Sequence, residues 1–492
     1  DTTGTIIPIV IQNVSNGITI DSIDSIYIKV VDNPDVFYIS NEGNDEKDGL
    51  SPQESWESIE KVNSFSFVPG DSILLKSGNI FNEQLRISRS GNDTAFMYYG
   101  KYSGEKKPII NGAAAPGGAF TSSVFIRNSS KIFLENLRIQ NGRKAPREGH
   151  DEKSSYGIYV LNDQGGIMKD IVLKNLHIEN VYAISIDDVE FNSVNVAGIE
   201  LHSIANTLEE NVKHIRDVLI EDCNISHTGK YGIRSRHEGA WQNLGNDTLN
   251  RNMNIIIRNN HFYETGGAGI MLGRTYNALI ENNLIESSGS NYDPRMVNRG
   301  SGAWFWKCIN VLAQYNRVLH SRGPMDSYSI HTDWGNRNTF VQYNYSEDIE
   351  GGFVEILGDN INSVYRFNIS VNDGFRDHRG NSIWVSTYAG RNEEGVVNIP
   401  SDSNYIYNNT IYLNEPYSPG IEIRGLNTYL YNNIFCASGN SKVGYDLDLW
   451  AYDNARLEIS NNLYSGDINP SFTQFDDNPI FGDPLFIDPG TA

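Results

Sequence analysis

Residues 326–360 read DSYSIHTDWGNRNTFVQYNYSEDIEGGFVEILGDN, and two short alternating segments inside them decide the fold. Ser329-Ile330-His331-Thr332-Asp333 and Val354-Glu355-Ile356 each switch between apolar and polar side chains with the period of a strand. Asp333 and Glu355 lie 22 residues apart. A step of roughly 20–30 residues is the length of one coil in a solenoid that stacks short parallel strands. With one segment per coil, Ile330 and Thr332 turn inward, while His331, Asp333 and Glu355 turn outward on neighbouring rungs about 4.8 Å apart.

Two outward carboxylates at that spacing suit the cleavage of a glycosidic bond. One carboxyl protonates the leaving oxygen, and the other acts as base or nucleophile. Asp333 and Glu355 are therefore the expected catalytic pair, with His331 as acid/base or orienting donor.

Working outward, Asn-containing turns recur as EDCNISHTG (221–229), RNNHFYETG (258–266), ENNLIESSG (281–289), YNRVLHSRG (315–323), YNNTIYL (407–413) and YNNIFCASG (431–439). Asn260, Asn283, Asn316, Asn344, Asn368, Asn409, Asn433 and Asn462 step by 23, 33, 28, 24, 41, 24 and 29 residues. Such steps are one coil plus a loop of variable length, and a propeller would show a steadier period. An Asn at one corner of every coil can bond to its copies above and below. These observations predict an all-β parallel β-helix in a single domain over 36–492. Residues 1–35 are read as N-terminal strands or a linker without assigned function. A short helix around Trp56, Ile59 and Val62 is expected to cap the first coil. Asn44–Gly49 is an acidic loop that could offer oxygen to Ca²⁺, but its spacing is not that of an EF-hand and a solvated turn is the favoured reading. No cofactor is required by the reading, and Ca²⁺ is allowed at this loop or at Asp187, Asp188 and Glu190.

Between the Asn turns a small residue is followed by an apolar one, as in Gly232-Ile233, Gly302-Ala303 and Ser382-Ile383. The positions after them form a ladder on one outer face: Tyr159, Ser185 with Asp187, Arg234 with Arg236, Met271, Trp304 with Trp306, His331 with Asp333, Glu355, Trp384, and Glu422 with Arg424. Arg, Trp, His and carboxylates are the side chains that stack on sugars and bind acidic groups. Arg234, Arg236 and His237 are expected to bind an anionic substituent, and Trp304, Trp306, Tyr328 and Trp384 to bind sugar rings.

Composition sets bounds on this. The 492 residues carry 39 Lys+Arg against 61 Asp+Glu, a net charge of −22, which argues against a nucleic-acid partner. No apolar run is long enough to span a membrane. Cys223, Cys308 and Cys436 are too few and too far apart for a disulfide framework and read as buried fillers. A chain opening on Asp1 is read as the trimmed form of an exported protein, which makes it secreted, periplasmic or cell-surface, and a monomer is expected.

On those residues the chain resembles the secreted right-handed parallel β-helix enzymes that degrade polysaccharides. The opening FYISNEGNDEKDGLSPQESWESIEKVN and the closing FGDPLFIDPG look like the first coil and last turn of that superfamily. The central IHTDWGNRNTFVQYNYSEDIEGGFVEILGDN looks more like the glycoside hydrolases of marine sulfated polysaccharides, of endo-fucanase type. The resemblance implies a carbohydrase acting on an anionic, fucan-like polysaccharide. Two readings compete with it: a lyase acting on a uronate-containing polymer, and a non-catalytic glycan-binding helix.

Overall fold

A computed structural model describes residues 34–164, 166–184, 193–204, 214–238, 250–449 and 456–487. Most of the expected N-terminal segment, Ser185 and the Asp187, Asp188 and Glu190 cluster, and the last residues of the closing motif lie outside them. The chain is an all-β, right-handed parallel β-helix with a short N-terminal cap helix, Ile59–Ser64. It separates into two compact units. One comprises residues up to 261 with 274–278 and 293–296, and the other 262–273, 279–292 and 297 onward.

In the first unit Ser58 caps the helix by accepting from the Lys61 amide, and Ile59 and Val62 are buried. Trp56 precedes the helix and is buried, with its ring stacked on Phe37 at 5.0 Å. The acidic loop beside it spends its oxygens on the chain itself. Asp45 Oδ1 accepts from the Glu57 and Ser58 amides, and Asp48 Oδ1 from the Leu50 amide, so the loop reads as an Asx-type turn. The coil following Ser154–Asn162 is Asn195–Ser203, which is where the sequence ladder had placed Ser185 and Asp187. Glu200 thereby becomes the neighbour of Arg234, and His202 the neighbour of Arg236.

In the second unit each coil gives one strand to each of three parallel sheets. The coil Tyr328–Thr332, Arg337–Gln342, Tyr345–Glu347 is followed by Gly352–Ile356, Ile361–Arg366, Ile369–Val371. Register aligns Ala303, Ile330, Val354, Ile383 and Ile421 in one buried inward row. Each Ile or Val of the row is worth about 1.5–3 kcal/mol on burial.

The corners are fixed by the Asn ladder. Asn316, Asn344, Asn368, Asn409 and Asn433 each donate Nδ2 to the Oδ1 of the next at 2.9–3.0 Å, and each accepts on Oδ1 from the backbone amide of the one before. Asp476 closes the series by accepting from both the amide and Nδ2 of Asn462. The left-handed backbone position at this corner falls one residue before each ladder Asn. There it is taken by Asn408, Asn432 and Asn461, but also by Tyr315, Tyr343 and Phe367. An aromatic side chain at that φ costs about 1–2 kcal/mol. Stacking of Tyr315 on Tyr343 at 5.2 Å, and of Tyr343 on Phe367 at 5.1 Å, offsets it.

Cys223, Cys308 and Cys436 are buried thiols, none of them in a disulfide. No described helix is long and apolar enough to cross a membrane.

Candidate active site

The outward row of the second unit runs Met271, Trp304, His331, Glu355, Trp384, Glu422 and Asp448 in successive register pairs. Glu355 thus sits directly above His331 on the next coil. Asp333 lies two residues further along the His331 strand, past its end at Thr332.

Around His331 the row becomes a packed cluster. The Trp304 ring stacks on the imidazole with centroids 5.4 Å apart and planes 9° from parallel. Trp304 Nε1 donates to Asp333 Oδ2 at 2.8 Å, while Asp333 Oδ1 accepts from the Trp334 amide at 2.8 Å and stands 3.9 Å from His331 Nε2. Glu355 Oε2 approaches His331 Nδ1 to 3.3 Å, too poorly aligned to count as a hydrogen bond. Among the described residues, neither carboxyl oxygen of Glu355 nor either His331 nitrogen has a hydrogen-bond partner.

A third carboxylate, not singled out from the sequence, completes the cluster. Asp326 lies just before the Tyr328–Thr332 strand and is held by Arg299, whose Nε donates to Oδ2 at 2.7 Å. Asp326, His331 and Glu355 bring one ligand-type atom each within 4.8 Å of one another. An imidazole and two carboxylates fall short of the 6–8 oxygens Ca²⁺ takes, so this set does not fit calcium.

Burial sets the protonation states. Burial pushes Asp333 up to about 7 despite the Trp334 amide, with Asp326 adding to the rise and the Trp304 N–H working against it. Burial also raises Glu355 well above the usual carboxylate range, helped by Asp326 and Asp333. The same burial lowers His331 to about 4, so it is neutral near pH 7. Exposure separates the three acids. The side chains of Asp326 and Asp333 are 16 % and 8 % exposed, against 1 % for Glu355 and for His331.

The predicted sugar binders divide. Trp304 and Trp384 are half-buried on the row, and Trp384 stacks on Tyr328 at 5.9 Å. Tyr328 is fully buried. Its hydroxyl donates to the Arg379 carbonyl and accepts from Asn381 Nδ2, so it packs under Trp384 where a sugar contact was expected. The cause is register: Tyr328 falls opposite Gly352, whose missing side chain leaves room for the ring. Trp306 packs edge-on against Trp334, with Lys307 Nζ 4.0 Å from the Trp334 ring centroid.

The arginines expected to hold an anion belong to the first unit and are engaged there. Arg234 Nε donates to Glu200 Oε2 at 2.6 Å and Arg236 Nε to Glu200 Oε1 at 2.7 Å. Burial raises Glu200, but the two guanidiniums outweigh it and hold the carboxylate below its ordinary range. Arg236 also meets Glu238 at 3.2 Å, and His202 Nε2 lies 2.7 Å from Glu238 Oε1. His237 is buried. Glu200, one coil earlier, is the partner that the expectation of anion binding missed.

No family model matches the chain. Its sequence is similar to the lacto-N-biosidase of Bifidobacterium longum subsp. longum, 24 % identical over 87 % of this chain and 30 % of that protein. The chain therefore spans under a third of that relative's length. Crystal structures of the GH136 lacto-N-biosidase from Eubacterium ramulus superpose with TM-scores of 0.62 and 0.61 at 22 % and 21 % identity, covering 91 % of this chain and 68 % and 67 % of theirs. This chain shares their fold. The part that aligns includes most of the β-helix described above.

Proposed function

We propose that the chain hydrolyses a glycosidic bond, with Asp333 as proton donor and Asp326 as the carboxylate that attacks the anomeric carbon or activates water. One observation carries this: burial raises Asp333 to about 7, so much of it keeps its proton near neutral pH, while Asp326 is a carboxylate ion-paired to Arg299, and both side chains are less enclosed than that of Glu355. Carboxyls with separated protonation states are the arrangement that acid/base chemistry at one bond requires. As the C–O bond breaks, the Asp333 proton passes to the leaving oxygen, and electron density from Asp326 or its water reaches the anomeric carbon. Glu355, the partner expected from the sequence, is too enclosed to touch a sugar and is assigned a positioning role behind His331. Neutral His331, stacked on Trp304, keeps water away from the donor side.

The lacto-N-biosidase names of the relatives support a glycan substrate and favour an oligosaccharide containing lacto-N-biose. The fucan-type, sulfated reading drew its residue support from Arg234 and Arg236, and both are committed to Glu200. A location outside the cytoplasm and a monomeric state stay part of the proposal, since such glycans are met outside the cell.

Product analysis tests the class. Incubation with neutral and with sulfated oligosaccharides should release new reducing ends without the ultraviolet absorbance of an unsaturated uronate. Appearance of that absorbance would establish a lyase, and binding without any product a glycan-binding helix.

A further inference from the structure

Within the second unit, the loops that lead into the Ala303–Trp306 and Tyr328–Thr332 strands enclose a cleft of about 750 Å³, inside the ~300–1,000 Å³ range of ordinary ligand pockets. None of Trp304, Asp326, His331, Asp333 or Glu355 lines it, but along the chain it comes close to the site already described. Gly323 and Pro324 line it three and two residues before Asp326, and Asn298 lines it immediately before Arg299, the partner of Asp326.

The walls are preformed. The Ser287 amide donates to the Leu319 carbonyl at 2.9 Å and the Arg322 amide to the Ser288 carbonyl at 2.8 Å. Gly289 has φ +74°, and a Cβ there would stand 1.9 Å from the Arg322 carbonyl oxygen, so two loops touch backbone to backbone at this point.

The lining states what the cleft can hold. Arg322 and His320 are both committed to Asp348, His320 Nδ1 at 2.8 Å from Oδ2. Glu350 accepts from the Gly323 amide at 2.9 Å and Glu264 from the Ser290 hydroxyl. The cations are thus compensated, while both lining carboxylates are bonded to neutral groups, a balance that repels sulfate or uronate. What is offered instead is a rim of hydroxyl and amide groups and one aromatic ring, Tyr292, which is 71 % exposed. An exposed ring beside hydroxyl-bonding groups is the chemistry that receives an uncharged sugar.

We propose that this cleft is a subsite for an uncharged sugar unit of the glycan, extending the binding path beyond the cleaved bond and resting on the hydrolase reading above. Tyr292 supplies the stacking face, and the edge of the His320 ring away from Asp348 meets the sugar hydroxyls, Ser290 being held by Glu264 and the Tyr292 amide. The subsite makes the chain prefer neutral substrates longer than a disaccharide.

The test is calorimetric titration of the Asp333→Asn protein with lacto-N-biose, with the neutral tetrasaccharide lacto-N-tetraose and with a sulfated form of the tetrasaccharide. The tetrasaccharide should bind at least about fivefold more tightly than the disaccharide and more tightly than its sulfated form. Adding Tyr292→Ala should remove most of that gain, about 2–10-fold, as expected for one aromatic contact; His320→Ala should act in the same direction. Equal affinity for the two neutral ligands, no measurable binding of the tetrasaccharide, or a Tyr292→Ala loss equal on both would overturn the subsite. If wild-type protein releases no product from lacto-N-tetraose but the Tyr292-dependent gain persists, the hydrolase reading fails and the subsite stands.

Discussion

Trp304 touches His331 with its ring face and Asp333 with its indole N–H, so one side chain helps to enclose the imidazole and works against the burial that raises Asp333, the proposed proton donor. Trp304→Phe keeps the stack and removes the hydrogen bond that lowers Asp333. The alkaline limb of the pH–rate profile should then move up, with kcat lowered about tenfold and KM changed less. A limb that stays in place would separate Trp304 from the acidity of Asp333.

With Asp333 raised to about 7, hydrolysis should decline as pH rises through that value and the donor loses its proton. Stability has a matching signature. Between the ordinary value of 3.8 and about 7, the folded protein keeps the Asp333 proton that the unfolded chain has lost, so this group's contribution falls as pH rises across that window. His331, lowered to about 4, acts in the opposite direction between about 4 and 6.5, but it is present in both proteins compared. Asp333→Asn, neutral at every pH, should gain stability on wild type from pH 4 to pH 7, by about 1–3 kcal/mol at pH 7. A difference in melting temperature that is flat over this range would contradict the burial account.

The Arg234, Arg236 and Glu200 group is predicted to be structural. Arg234→Met strands half the charge of a buried carboxylate and should cost about 3–5 kcal/mol in denaturant unfolding, largely recovered when Glu200→Gln is added. Charged and neutral glycans should be affected alike. Selective loss of sulfated substrates with stability intact would restore the anion-binding reading.

Asn344 Nδ2 donates to the Ala313 and Gln342 carbonyls and to Asn368, each at 3.0 Å, in the buried corner. Asn344→Ala leaves those acceptors and the Asn316 amide short of a partner and should cost about 1–3 kcal/mol without altering KM. Unchanged unfolding would mean that the ladder is incidental to the corner.

The β-helix was legible because its signals are periodic: inward Ile and Val every second residue, and an Asn at one corner of each coil. The site was legible in part. Alternation put His331 outward and the one-coil step put Glu355 on the next rung, but which acid is exposed depends on loops that periodicity does not describe. Asp326 lies in such a loop, outside the strand pattern, and nothing in the periodicity singled it out. Glu200 escaped because its coil was misplaced at 183–187, so the arginines looked available to a ligand. Tyr328 had the right type for sugar binding, but it faces a glycine across the sheet and fills that space.

The central claim is that Asp326 and Asp333, and not Glu355, do the chemistry. The direct measurement is kcat on lacto-N-tetraose for Asp326→Asn, Asp333→Asn and Glu355→Gln, with folding checked by circular dichroism. Loss of a general acid, base or nucleophile should lower kcat by at least about 10²-fold in both aspartate variants. Gln in place of a protonated, enclosed Glu355 should stay within about tenfold of wild type. Asp326→Asn within tenfold, together with Glu355→Gln down a hundredfold or more, would contradict the account and return catalysis to Asp333 and Glu355.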